Sequence, residues 1–159
     1  MILEPSTSQD GRKLLETRRL LLEKGYSIWA PCTHQLNCPL LTHSKNDWCH
    51  DRVHVSSPDW FLELESHLPM KNKTVTTSYL LARKRKAPEF LQKKARLTGD
   101  TLEEKGKTRQ LICRNEQREF LTWMHKNIEP QTLARGELID LPQDFEVKSN
   151  ELRLKVALL

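Results

Sequence analysis

The chain has 159 residues, 37% hydrophobic and 30% charged, with a formal net charge of +5. That length suits one large domain or two small lobes, and the composition is apolar enough to fold and polar enough to be soluble. No run approaches the length that crosses a membrane, and Met1 to Ser6 lack the basic and apolar regions of a signal peptide, so a cytoplasmic, reducing setting and no membrane partner are expected.

Along the chain, Ile2-Leu3 is a short apolar run closed by Glu4-Pro5. Asp10 is the expected cap of a helix running to about Lys24. Leu14, Leu15, Arg18, Leu21 and Leu22 share one face of it, and Gly25 is placed to end it. Tyr26 to Ala30 reads as a short buried strand, closed by Pro31. Strand, helix, strand is the repeating unit of a parallel sheet, so this stretch predicts the tail of an α/β domain. Residues 31–57 read as a long polar connection with too few aliphatic side chains for a core of its own. Pro58 to Leu68 predicts a short helix capped by Ser57, with Pro58 in its first turn and Trp60, Phe61 and Leu64 as anchors. Thr74 to Leu81 is rich in β-branched residues and reads as a strand.

The texture changes beyond Arg83. Gln110 to Arg114, Glu119 to Trp123 and Leu138-Ile139 are short strand-like runs. Leu152, Leu154 and Val156 alternate with Arg153 and Lys155, the pattern of a strand with one polar face. Gly99-Asp100 and Gly136-Glu137 are expected turns. The division predicted is an α/β region over residues 1–82 and a basic, β-rich lobe over residues 83–159, in the form of a partly open barrel.

Charge follows the same division. Residues 1–80 hold nine basic and nine acidic groups, whereas residues 83–114 hold eleven basic against four acidic. A surplus of that kind favours a phosphate backbone as partner. Arg83, Lys84, Arg85, Lys86, Lys93, Lys94 and Arg96 are the candidate phosphate-binding residues.

Cys32, Cys38, Cys49 and Cys113 are the candidate metal ligands. In a reducing compartment four cysteines favour metal binding or free thiols over disulfides. Four thiolates suit a tetrahedral zinc or an iron–sulfur cluster. The gaps of five, ten and sixty-three residues match neither the paired spacing of zinc ribbons nor the compact run of bacterial ferredoxins, so spacing leaves the metal open. A metal there would staple the polar connection to the β-rich lobe. His34 and His50, each beside a cysteine, are candidates to hydrogen-bond a ligating sulfur. Trp48 is a candidate shield against water.

The strings Ala30-Pro31-Cys32-Thr33-His34, Cys38-Pro39-Leu40 and Asp47-Trp48-Cys49-His50 resemble a known family. So do Ile2 to Pro5, the helix through Arg18, Ser78-Tyr79-Leu80 and Gly106-Lys107 with Cys113. The family is the ribosomal small-subunit methyltransferase-like proteins, whose eukaryotic members are mitochondrial small-subunit assembly factors. The resemblance covers most of residues 2–125 and is similar to the family's carboxy-terminal portion only. It implies a Rossmann-like methyltransferase sheet at the start of the chain. It implies a [4Fe–4S] cluster on Cys32, Cys38, Cys49 and Cys113, with zinc as the alternative. It also implies small-subunit rRNA and ribosomal proteins as partners, and a mitochondrial location in a eukaryote. Family members hold S-adenosylmethionine on a glycine-rich turn, and the five glycines here form no such loop. The cofactor is therefore not expected on this chain alone, and rRNA methylation would need a separate amino-terminal half as partner. An iron–sulfur protein that binds rRNA is the leading expectation; a methyltransferase subunit and a zinc-dependent RNA-binding module are the alternatives.

Overall fold

The structure, a computed structural model, describes residues 1–69 and 74–158. Its first sheet holds β1 (Ile2–Pro5), β2 (Ser27–Ala30), β3 (Asp51–His54) and β4 (Thr74–Arg83). β4 is antiparallel to all three others. β1 and β2 are both antiparallel to β4 and so run parallel to each other, but they do not pair, because the ten-residue β4 lies between them. The region is α/β, as expected, but the described strands do not follow a Rossmann sheet order.

Helix α1 (Ser8–Glu23) bridges β1 and β2. Its N-cap is Thr7, not Asp10. The Thr7 hydroxyl accepts the Asp10 N–H at 3.1 Å and donates to the Asp10 carboxylate at 2.6 Å, so Asp10 answers the cap from the first turn. At the far end Lys24 N–H reaches Leu20 C=O, and Gly25, at φ +77°, turns its N–H to Leu22 C=O. That left-handed residue is the stop the glycine predicted. Leu14, Leu15 and Arg18 form the buried stripe.

The polar connection contains two elements its composition hid. A single turn, α2 (Pro39–Thr42), starts with Cys38 at its N-cap, and β3 follows. Helix α3 (Asp59–Ser66) has Pro58 at its N-cap. Its expected anchors Trp60 and Leu64 are 68% and 53% exposed, while Glu65 is buried. Phe61 packs edge-on to Trp60 and is partly buried.

The second sheet is a curled, half-barrel lobe of β5 (Lys94–Glu104), β6 (Lys107–Cys113), β7 (Glu119–Met124), β8 (Leu138–Asp140), β9 (Phe145–Lys148) and β10 (Glu151–Leu154), in the order β8-β5-β6-β7-β10-β9. All neighbours are antiparallel except β7 and β10. Gly99-Asp100 is not a turn. It lies inside β5, where the register with β6 shifts between Leu97 and Thr101. A Cβ on Gly99 would come within 2.8 Å of the Leu111 Cβ, so the glycine serves a close backbone approach at a bulge.

Three apolar clusters hold the molecule. One, with Leu97, Ile112, Leu121, Trp123, Leu152 and Leu154, fills the half-barrel. Another joins Leu14 to Ile28 and Leu80 beneath α1. The third lies where the two sheets meet: Leu15, Cys38 and Leu40 from one side, Leu111 and Phe120 from the other.

Candidate cysteine centre and basic surface

The four cysteines come from four separate pieces of backbone. Cys32 follows β2 across the cis Ala30–Pro31 bond, Cys38 caps α2, Cys49 precedes β3, and Cys113 ends β6. All four are free thiols, and all four line one small cavity. Arg18, Leu14, Leu15, Tyr79 and Arg96 line it with them. Two of the cysteine carbonyls accept hydroxyl hydrogen bonds from other segments. Thr33 Oγ1 donates to the Cys113 carbonyl at 3.2 Å, and Ser78 Oγ donates to the Cys49 carbonyl at 2.9 Å.

Two sulfurs are met by nitrogen. Arg18 Nε donates to Cys32 Sγ at 3.1 Å, and Arg18 Nη2 donates to the His34 carbonyl at 3.0 Å. His34 Nδ1 accepts the Leu36 N–H at 3.2 Å. Burial first, and then the Arg18 charge, push the His34 pKa down to about 4, so the ring is neutral near pH 7. With Nδ1 accepting, the single proton sits on Nε2, 3.3 Å from Cys113 Sγ. The ring thus presents an N–H to that sulfur, the support a ligating thiolate uses.

Three of the sulfurs are held as thiols. Burial raises Cys38 and Cys113, and although Cys49 keeps some surface, loss of water around its sulfur pushes it up to about 12. Such protonated, shielded thiols are poor nucleophiles; their chemistry becomes available when an ion displaces the protons. Among the described residues, no three His, Cys, Asp or Glu side chains are grouped as ligands of a metal ion.

The other expected participants are placed differently. Trp48 and His50 do not line the cavity. They stack on each other with ring centroids 5.3 Å apart, and Trp48 donates its Nε1–H to the Ser6 carbonyl. Arg96 is 4% exposed and pairs with Asp51. It faces the cysteines rather than solvent, which removes it from the outward basic set. Its Nε has no partner among the described residues. Lys94 pairs with Asp140 at 2.6 Å.

Arg83, Lys84, Arg85, Lys86 and Lys93 do lie on the surface. Two of them ride over aromatic rings to which the sequence pattern assigns no role. The Arg83 guanidinium is 4.6 Å from the Trp29 centroid, and Lys84 Nζ is 5.5 Å from that of Tyr26. Trp29 Nε1 donates to the Arg85 carbonyl at 2.9 Å. Arg18 likewise has no role in the sequence pattern beyond its place on the helix face. Its signal is nonetheless present, since it is an arginine in the middle of a leucine stripe.

The family described as mitochondrial small ribosomal subunit Rsm22 matches residues 1–128. The chain belongs to the Rsm22 family. The match to Rsm22 takes in α1, the cysteine segments and the second sheet through β7, and it is not confined to a carboxy-terminal portion. That corrects the narrower resemblance expected from the sequence. Rsm22 is described as mitochondrial, which also speaks against the cytoplasmic default. No curated protein matches the chain. No helix among the described residues is long and apolar enough to cross a membrane.

Proposed function

We propose that this chain is an iron–sulfur protein of the mitochondrial small ribosomal subunit, binding its rRNA during assembly. One observation carries the reading: four cysteines from four separate segments line a single cavity where the two sheets meet. The donor set fits a thiolate-held group. It has four sulfurs, a buried arginine N–H already on Cys32, a histidine N–H aimed at Cys113, and an unpartnered Arg96 Nε in the same lining. Cys32, Cys38, Cys49 and Cys113 would hold the cluster. When bound, it would supply a fixed cross-link between the two sheets. The chain's own residues would do the rest. His34 and Arg18 orient sulfurs, and Leu14, Leu15 and Tyr79 exclude water. The exposed cations from Arg83 to Lys86, with Lys93, meet phosphate, while Tyr26 and Trp29 offer faces on which unpaired bases stack. In this reading the role is binding, and S-adenosylmethionine is not a ligand of this chain alone.

Anaerobic purification with iron, acid-labile sulfide and zinc analysis tests it. Iron and sulfide in about equal amounts, near four each per chain, with a broad absorption shoulder near 400 nm, are expected. About one zinc without sulfide would replace the cluster by a structural zinc. A chain that takes up neither metal would overturn the centre altogether.

A further inference from the structure

Two guanidinium groups line the cysteine cavity, and they are compensated unequally. Arg96 has Asp51 as its counter-ion. Arg18 is 2% exposed, and its side-chain hydrogen bonds go to the Cys32 sulfur and the His34 carbonyl. Among the described residues, no carboxylate forms an ion pair with it. A buried cation without a counter-ion is strongly unfavourable. Cys32, Cys38 and Cys113 line the same cavity as Arg18, and its Nε already rests on one of these sulfurs. The anions within its reach are therefore the cysteine sulfurs, once they have shed their protons.

The geometry points to Arg18 as the built-in counter-cation of a four-thiolate centre, a positioning residue that holds Cys32 as a ligand and offsets the centre's net negative charge. This rests on the metal-centre reading above. Four thiolates outweigh the divalent charge of either a zinc ion or an oxidised four-iron core, so the centre keeps negative charge in both cases. Arg18 meets that charge from inside the core, where screening is weak. With the metal absent, the same guanidinium faces neutral thiols and has nothing to compensate it. Its presence in the middle of the α1 leucine stripe is thus explained by the loaded state and not by the bare fold. A cation in this position also favours the reduced, more negative form of a redox-active cluster.

The test compares the wild-type chain with Arg18→Gln and Arg18→Lys, each reconstituted anaerobically with ferrous iron and sulfide, or with zinc alone. Glutamine keeps an N–H for the His34 carbonyl and loses the charge; lysine keeps the charge. The glutamine variant is expected to fold when metal-free, with a urea midpoint at or above wild type. It should retain metal about tenfold more weakly in a chelator competition, the range of supporting residues around metal ligands, and lysine should recover part of that loss. If iron and sulfide are bound, the glutamine variant's reduction potential should move to more negative values. Equal metal retention in wild type and the glutamine variant would overturn the inference and leave the centre intact. Failure of the glutamine variant to fold when metal-free would overturn it too, because the bare fold would then need the cation. A wild-type chain that takes up neither metal would sink the underlying reading, and this inference with it.

Discussion

Glu151 shows how a single side chain can carry part of the acid stability. It is 6% exposed and receives Lys107 and Arg153, the latter at 2.8 Å, with Arg109 at 4.0 Å. Burial would raise its pKa, but the hydrogen bonds from Lys107 and Arg153 outweigh burial and hold it below the ordinary 4.5. The folded state therefore binds this proton less readily than the unfolded chain. The stability it contributes is present above about pH 4.5 and disappears as pH falls through the depressed folded value. Glu151→Gln should lower stability at pH 7 by about 1–2 kcal/mol and flatten the acid limb of an unfolding-midpoint profile. A profile parallel to wild type would show that the carboxylate titrates normally. The cysteine candidates are legible at this same scale because their residue type is rare and chemically specific. Arg18, Tyr26 and Trp29 are not, because a lone arginine or aromatic residue acquires meaning only from what folds against it. Arg96 misleads for the converse reason: its charge counts among neighbours in sequence, while β5 and the Asp51 pair turn it inward.

Among the elements, α1 has the clearest origin in sequence. Its leucine stripe and its terminal glycine have structural counterparts, while its cap falls on Thr7 rather than Asp10. Gly11 is the less obvious requirement. A Cβ there would come within 2.2 Å of Trp48 Cδ1. Gly11→Ala gains about 1 kcal/mol of helix propensity, against about 1–3 kcal/mol for overpacking. A net destabilisation is expected, together with a shift in tryptophan fluorescence as Trp48 is displaced. A variant more stable than wild type, with unchanged emission, would show that the indole yields freely. Elsewhere legibility falls where local signals are ambiguous. Gly99-Asp100 has the composition of a turn, yet it is a bulge that lets β5 pass close to Leu111. β3 is hidden in a polar stretch because three of its four residues are exposed, which leaves no alternation to read. The parallel neighbour expected for β1 is displaced by β4, a long-range pairing that residues 1–30 do not encode.

At the scale of the whole molecule, the two sheets share the cluster of Leu15, Cys38, Leu40, Leu111 and Phe120, next to the cysteine cavity. Leu15 lies in both the cluster and the cavity wall, so Leu15→Ala should cost about 2–5 kcal/mol. It should also weaken metal retention, read by chelator competition on the folded protein. The same geometry ties the centre to the basic surface. Trp29, which carries Arg83 on its face and bonds the Arg85 carbonyl, stands three residues before Cys32. Loosening the Cys32 loop would loosen the platform that orders these cations. Under the proposed role, the metal-loaded chain should bind single-stranded small-subunit rRNA more tightly than the stripped chain. Replacing Lys84, Arg85 and Lys86 by glutamine should weaken binding and reduce the slope of log K against log salt by about 0.7 for each phosphate no longer neutralised. Titrations at several salt concentrations separate the two effects. Neutralised cations change the slope, whereas a disordered platform lowers affinity chiefly through weaker stacking, with a smaller change in slope. An unchanged slope in the triple variant would move the RNA surface away from the β2–β4 end, and equal affinity of loaded and stripped chains would uncouple the centre from it.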